Sequence, residues 1–151
     1  MKLNLLVKPV AEVSIGTSII YLFPASISDV NEFSDMYDEV DAIKKFRKFL
    51  PYIASLSVPK DFRDKRVPLS DEVIEHMTAM ELEELANAYS AIPSLDKVRA
   101  GNADENIAPI TRHRDEPATS YLDRLLTAEA ERHRRIFEKI NAAAASPPRE
   151  E

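Results

Sequence analysis

Residues 28–50 constrain the fold more than any other stretch, because a helix-capping signal is followed there by a long series of regularly spaced apolar residues. Asp29 and Glu32 have the D-x-x-E spacing of a capping box, so a helix is predicted to begin at Ser28 or Asp29. Pro51 is predicted to stop or kink that helix. Apolar residues follow the cap at steps of three and four, which place them on one helical face: Val30, Phe33, Tyr37, Val40, Ile43, Phe46 and Leu50.

A step of three residues is shorter than one helical turn of 3.6 residues, so the apolar positions shift steadily around the helix axis. As a result, Val30 and Phe46 lie far apart around the axis. Either the helix contacts two neighbours over a wide arc, or it bends in the middle. The wide arc is the favoured interpretation, because it is the more common arrangement in small domains.

A β-hairpin is predicted just before this helix. Residues 13–15 and 18–23 are rich in β-branched and apolar side chains, and they flank Gly16 and Thr17, which suit a tight turn. Residues 3–7 alternate apolar and polar side chains well enough to add a third strand. A two-stranded hairpin is only marginally stable in water, so the sheet is expected to pack against the following helix.

Residues 69–92 are predicted to form two helices. Ser70 is a favourable N-cap for the first helix, and Thr78 with Glu81 has the spacing of a capping box for the second. Two caps so close together predict a short helix, a corner and a longer helix. The apolar side of the longer helix comprises Leu82, Leu85, Ala86 and Tyr89.

The chain changes composition after residue 93, so a compact domain is predicted over residues 1–93. Residues 94–118 contain Gly, Pro, Asn and Asp with few apolar side chains, which predicts a linker. Residues 119–145 have a helical pattern with apolar ends and a polar centre, so this helix is expected to project or to pack only in part. Residues 146–151 are expected to form a frayed tail.

These elements together predict an α+β fold that is predominantly helical. A small N-terminal antiparallel β-hairpin or three-stranded sheet is expected to pack on a helical bundle. The 151 residues suffice for one domain with a hydrophobic core and are few for two.

Charge and composition exclude several classes of function. The net charge of −6 argues against general nucleic-acid binding, which needs a basic face. The lack of cysteine excludes disulfides, cysteine-ligated metal sites and thiol catalysis. The apolar run at the start is too short for a signal peptide, and no segment approaches the roughly 20 apolar residues of a membrane span. A cytoplasmic protein without a cofactor is expected.

No motif in the chain indicates catalysis. Glu81 and Glu84 occupy neighbouring helical positions but lack the apolar pocket that tunes a catalytic carboxylate pair, so they are expected to be solvated. Glu129 and His133 lie four residues apart on one helical face and could bind a metal ion with a third ligand. The arginines on either side of His133 disfavour a cation, so no metal site is predicted.

Three segments carry a resemblance to a known family. They read V-S-I-G-x-S-I-I-Y-L-F-P from residue 13, S-x-S-D-V-N-E-F from residue 26, and L-S-D-E-V-I-E-H-M-T-A-M-E-L-E-E-L-A from residue 69. In this order they resemble the small tail assembly chaperones of long-tailed bacteriophages, over roughly residues 10–92. The resemblance implies a small sheet packed on helices, no catalytic site and a tendency to oligomerise. It also implies a protein that coats the long helical tape-measure protein before tail tube subunits polymerise around it.

A partner-binding face is predicted on the acidic segment 70–92, which carries six acids and no base. Its apolar side chains, flanked by Glu81 and Glu84, could receive an amphipathic helix from another protein, with Tyr37 contributing from the first helix. The family resemblance implies that this face forms a groove, which would shield apolar stripes of the tape-measure protein. The same pattern also suits residues that face the chain's own core, which is the more common arrangement. The predicted groove residues are Leu82, Leu85 and Tyr89.

Two other functions fit the same composition. An acidic inhibitor or decoy could occupy a basic surface of a host nuclease or other defence protein, and its binding would fall steeply with salt. A structural adaptor could dock permanently through the C-terminal helix, and only the adaptor would lose its partner when residues 120–151 are deleted.

Residues from 94 onward depart from the family pattern. They are either an extension of that pattern or evidence against the resemblance.

Overall fold

The computed structural model describes residues 9–36, 40–58 and 67–145. Six helices and a three-stranded antiparallel sheet in these ranges confirm the predicted α+β class with mostly helical content. The strands are β1 (Ala11–Ile15), β2 (Ser18–Leu22) and β3 (Ala54–Ser55). The helices are α1 (Ile27–Ser34), α2 (Ala42–Ile53), α3 (Asp71–Glu75), α4 (Ala79–Ser90), α5 (Asp96–Ala100) and α6 (Ala118–Ala145), and 3₁₀ turns at Pro93–Leu95 and Ala103–Glu105 lie on either side of α5.

The predicted hairpin is confirmed by the pairing of β1 with β2. Val13 lies opposite Ile20, and Gly16 in the turn has a φ of +61°, a conformation that glycine adopts without a steric penalty. The third strand, β3, follows α2 and pairs with β2, so that the strand order is β1-β2-β3. The third strand that was predicted at residues 3–7 lies outside the described residues.

The single helix predicted over residues 28–50 is instead two helices, α1 and α2. Ser26, and not Ser28 or Asp29, caps α1, and it exchanges hydrogen bonds with Asp29 in a capping box. Asp41 caps α2 by accepting a hydrogen bond from the Ile43 backbone N–H at 2.9 Å. The wide-arc interpretation is therefore wrong, because each short helix has its own cap and its own buried face.

The proline in α2 does not end the helix where the sequence suggested. Helix α2 continues through Pro51 to Ile53, so a stop at Pro51 is wrong. The helix then passes directly into β3, where the backbone N–H of Phe23 donates to the Ile53 carbonyl at 2.7 Å. This bond joins the C-terminal end of α2 to the sheet.

The corner between α3 and α4 forms as predicted. Ser70 caps α3, and Thr78 and Glu81 form the capping box of α4, with the Glu81 carboxylate accepting from the Thr78 N–H at 2.8 Å. Arg47 of α2 also fixes the corner, because its guanidinium donates to the carbonyls of Ile74, Glu75 and Met77 at 2.6, 3.2 and 3.0 Å. Carbonyls at a helix C-terminus have no intrahelical partner, and one planar guanidinium satisfies several of them.

The segment predicted as a linker, residues 94–118, contributes to the hydrophobic core. Leu95 and Val98 are 2% and 0% exposed and belong to the same buried cluster as residues of α4 and α6. Gly101 has a φ of +81°, and a Cβ there would lie 2.8 Å from the Ile107 carbonyl oxygen, so the close approach of the two backbones requires glycine. The segment is therefore a packed connection and not an exposed linker.

Helix α6 packs against α1, α2 and α4, and its buried residues lie in its first half. Glu83 of α4 holds its N-terminus, because the carboxylate accepts hydrogen bonds from the backbone N–H groups of Ala118 and Thr119 and from Thr119 Oγ1. Neither α6 nor any other helix in the described ranges is both long enough and apolar enough to cross a membrane. The core side chains that α6 supplies are Tyr121, Leu122, Leu125, Leu126 and Ala130.

A partly buried ion pair joins α2 to α6. Lys45 is 8% exposed, and its Nζ lies 2.9 Å from the Asp123 carboxylate and 5.3 Å above the centroid of the Phe33 ring. Since Phe33 belongs to α1 and Asp123 to α6, the ammonium group of this α2 residue contacts two other helices. The sequence analysis did not predict the burial of Lys45.

The loop before α6 is held by Glu116. Its carboxylate accepts hydrogen bonds from Arg124 Nε at 2.8 Å and from the His113 backbone N–H at 3.1 Å. The hydrogen bond from Arg124, followed by that from His113, lowers the pKa of Glu116 to about 2. Because this pKa lies below its usual value, the interaction stabilises the fold above about pH 4.5 and is lost as the pH falls towards 2.

We therefore expect Glu116→Gln to lower the free energy of unfolding at pH 7 by about 1–2 kcal/mol, allowing for solvent around Arg124. At pH 3 the variant should differ much less from the unmodified protein. Urea unfolding at the two pH values measures both effects, with the exposed neighbour Asp115→Asn as the control. An equal loss at both pH values would show that the charge of Glu116 is not what stabilises the loop.

Candidate functional site

The apolar face that was predicted to bind a partner lies in the core. Leu82 and Leu85 are 0% exposed and Tyr89 is 1% exposed. The Tyr89 hydroxyl accepts a hydrogen bond from the Ala25 backbone N–H at 3.0 Å, and its ring packs edge-on against Phe49 at a centroid distance of 5.9 Å. The groove expected at this face is therefore not open, because α6 covers the side of α4 that the sequence analysis left without a neighbour.

The glutamates that were predicted to flank that face do not form one exposed acidic surface. Glu81 is used in the capping box of α4, and Glu84 is exposed. Glu83 between them caps α6, so two of the three glutamates in this run have structural roles. Tyr37, the remaining predicted groove residue, lies outside the described residues.

An open groove lies instead between α1 and the second half of α6. It has a volume of about 800 Å³ and is lined mainly by apolar atoms. Helix α1 supplies one wall with Ile27, Ser28 and Asn31, and α6 supplies the other with Ala130, Phe137 and Ile140. The sequence analysis did not predict this groove.

A stripe of four apolar residues and His133 runs along α6 from the core to the surface, and its outer part forms the α6 wall of the groove. Its residues are spaced by four, three, four and three, the heptad spacing by which a helix presents a seam to another helix. Leu126 and Ala130 are 1% and 8% exposed, whereas Phe137 and Ile140 are 63% and 60% exposed. The stripe is Leu126, Ala130, His133, Phe137 and Ile140.

The end of α6 extends beyond the part of the molecule that the other described residues cover. Every side chain in residues 137–144 is exposed. Large apolar side chains that share one exposed helical face are typical of binding surfaces. The heptad spacing was the signal in the sequence that could have located this surface, but the polar residues at the centre of α6 obscured it.

The charged groups beside the groove are largely paired with one another. Glu131 forms ion pairs with Arg134 and Arg135, the latter at 3.3 Å. Each of these pairs joins residues three or four apart on α6. Asp35 also lines the groove, so the two acids and the two arginines sum to no net charge. The apolar walls therefore dominate the chemistry of the groove.

Glu129 and His133 are brought together, as their spacing predicted, and His133 also lines the groove. His133 Nε2 lies 2.7 Å from Glu129 Oε1, and the glutamate is 6% exposed. Within the described ranges, Glu129 Oε2 and His133 Nδ1 are buried without a hydrogen-bond partner. No third side chain in those ranges completes a group of His, Cys, Asp or Glu that could hold a metal ion.

Comparison of the chain with protein-family models, with curated proteins and with solved structures found no match. The resemblance to tail assembly chaperones stays a prediction that depends on the three segments between residues 10 and 92.

Proposed function

We propose that this protein is a non-catalytic assembly factor that binds another polypeptide in the groove between α1 and α6. The observation that supports this most directly is the exposure of Phe137 and Ile140 on a stripe whose inner part forms the core. Covering two such side chains is favourable by about 1.5–3 kcal/mol each. A partner that covers them would gain affinity without disturbing the fold.

The shape of the groove suits a helical partner. Its α6 wall runs from Thr127 to Ile140, which corresponds to about 20 Å along a helix axis at 1.5 Å per residue. A helix of similar length, with apolar residues at i, i+3 or i+4 and i+7, would place one face against the stripe. We therefore expect an amphipathic helix as the bound segment.

The resemblance to tail assembly chaperones suggests what that partner would be. A tape-measure protein is a long helical polypeptide whose apolar stripes stay exposed until the tail tube encloses it. A groove with few large apolar contacts and a nearly neutral rim would bind such a stripe reversibly, so that tube subunits could displace the chaperone. In this proposal the protein acts in the host cytoplasm and needs neither a cofactor nor nucleic acid.

The structural adaptor is the second candidate, because the same exposed residues on α6 favour it. A chaperone and an adaptor would use one surface but differ in the lifetime of the complex. The acidic decoy receives less support, since Glu81 and Glu83 serve as helix caps and the open groove is apolar. Decoy binding would depend on charge, and groove binding on apolar contact.

Affinity purification of the tagged protein from its native host tests the proposal. We expect Phe137→Asp to reduce recovery of the partner at least about tenfold, because a carboxylate in the bound groove is desolvated. Met80→Asp is the matched control, since Met80 is 74% exposed on α4 and does not line the groove.

Two results of this purification would contradict groove binding. Equal partner recovery with Phe137→Asp and the unmodified protein would place the binding surface elsewhere. Loss of the partner between about 50 and 500 mM salt, with no effect of Phe137→Asp, would indicate the charge-based decoy instead.

A further inference from the structure

The two walls of the groove differ in their chemistry. Helix α6 presents the apolar side chains of Ile136, Phe137 and Ile140, whereas α1 presents mainly hydroxyl and amide groups. We infer that the helix bound in the groove carries an amide side chain beside its apolar stripe, at the position that faces Asn31 of α1. This inference rests on the proposed function and adds the chemistry of the partner to it.

The polar groups of α1 form a row along the groove. Ser28, Asn31 and Ser34 line it at steps of three residues, which keep side chains close together on one helical face. These three residues are the polar row. Ile27 precedes them, and Asp35 follows them as the C-cap of α1. Asn31 is exposed at the middle of the polar row, so a partner side chain can reach its amide.

The polar row is open to a partner, whereas the polar groups on the α6 wall are already paired. Within the described ranges, no side chain of the polar row forms a hydrogen bond with another protein group. On α6, His133 Nε2 lies 2.7 Å from Glu129 Oε1, and Arg134 is ion-paired with Glu131. Hydrogen bonding to a bound helix therefore falls to α1, with Asn31 at the centre.

A helix that fills the groove removes the amide of Asn31 from water. A purely apolar face would leave this amide without hydrogen bonds, which weakens binding. A glutamine or asparagine side chain has both a donor and an acceptor, so it can pair with Nδ2 and Oδ1 of Asn31 together. A charged side chain would lose its own hydration and meet no opposite charge in the polar row. An amide is therefore the partner group that fits this position.

One helix can present both kinds of surface. Apolar residues at i, i+3 or i+4 and i+7 would contact α6. A residue next to one of them in sequence points about 100° away around the helix axis, towards the other wall. The inferred partner is thus an amphipathic helix whose apolar stripe has a glutamine or asparagine at its border.

Two synthetic amphipathic peptides with leucine at the stripe positions are the probes. The two residues beside the central leucine are both glutamine in one peptide and both methionine in the other, since methionine has nearly the size of glutamine. Fluorescence anisotropy with the full chain should show binding about tenfold tighter for the glutamine peptide, the effect of one buried amide left unpaired.

Asn31→Leu is the matched variant, because it keeps the approximate size of the side chain at an exposed position. It should reverse the ranking, so that the methionine peptide binds more tightly than the glutamine peptide. Tighter binding of the methionine peptide by the unmodified protein would overturn the inference. So would the same ranking of the two peptides by both proteins.

Phe137→Asp separates this inference from the proposed function. Loss of both peptides in this variant, with equal binding of the two peptides by the unmodified protein, would refute only the amide. Undiminished binding of both peptides by Phe137→Asp would contradict the inference and the groove together. Failure of either peptide to bind the unmodified protein would also overturn the inference, whereas partner recovery from the native host would still decide the proposed function.

Discussion

Leu85→Asp is expected to prevent the chain from folding at 25 °C. Leu85 is 0% exposed between α4 and α6, so the substitution removes a fully buried leucine and places a carboxylate in the core. The combined cost of several kcal/mol is comparable with the whole stability of a small domain. The milder Leu85→Ala should fold and lose about 3–4 kcal/mol, which urea unfolding followed by circular dichroism measures.

Glu84→Ala is the control for this pair, because Glu84 is the exposed neighbour of Leu85 on the same helix. It should change the free energy of unfolding by less than about 0.5 kcal/mol. If Leu85→Asp instead melts like the unmodified protein, the α4 face is not core. The partner-binding groove expected from the sequence at Leu82, Leu85 and Tyr89 would then be restored.

Asp123→Asn is the second substitution with a large expected effect, a loss of about 2–4 kcal/mol in the free energy of unfolding. It leaves the Lys45 ammonium buried without its counter-charge, whereas the ion pair in the structure has an Nζ to carboxylate distance of 2.9 Å. A buried charge that has lost its partner costs far more than the pair itself contributes. Chemical denaturation at pH 7 gives the value directly.

Lys45→Met is the matched control for this ion pair. It removes the ammonium group and keeps the volume, while the Asp123 side chain, which is 27% exposed, can still contact water. We expect this variant to lose about 1 kcal/mol or less. A loss from Lys45→Met equal to that from Asp123→Asn would show that the attraction between the charges dominates, and would contradict this account.

Local sequence signals predicted the elements that depend on near neighbours in the chain. Thr78 and Glu81 lie three residues apart, so their capping box could be recognised without knowing the fold. Gly16 likewise specified the hairpin turn through its own backbone freedom. The break between α1 and α2 was missed, because the apolar period continues across it and Asp41 was not recognised as a second cap.

The packing of α6 could not be predicted from such signals. Leu85 and Phe137 both belong to regular apolar stripes, yet one is in the core and the other is 63% exposed. Periodicity shows that a face is apolar, but it does not show which distant element covers that face. The sequence analysis expected α6 to project or to pack only in part, which agrees with its buried first half and exposed end. It did not place that first half against α4, and it therefore took the α4 face as the candidate site.

Incorporation of a photo-reactive phenylalanine analogue at residue 137 in the native host tests the groove most directly. Light should link this position to a helical segment of another polypeptide, in addition to any link to a second copy of the chain. The same analogue at residue 80, which is exposed on α4, should capture no such segment. If residue 137 links only to further copies, or to the same polypeptides as residue 80, the groove does not receive an assembly partner.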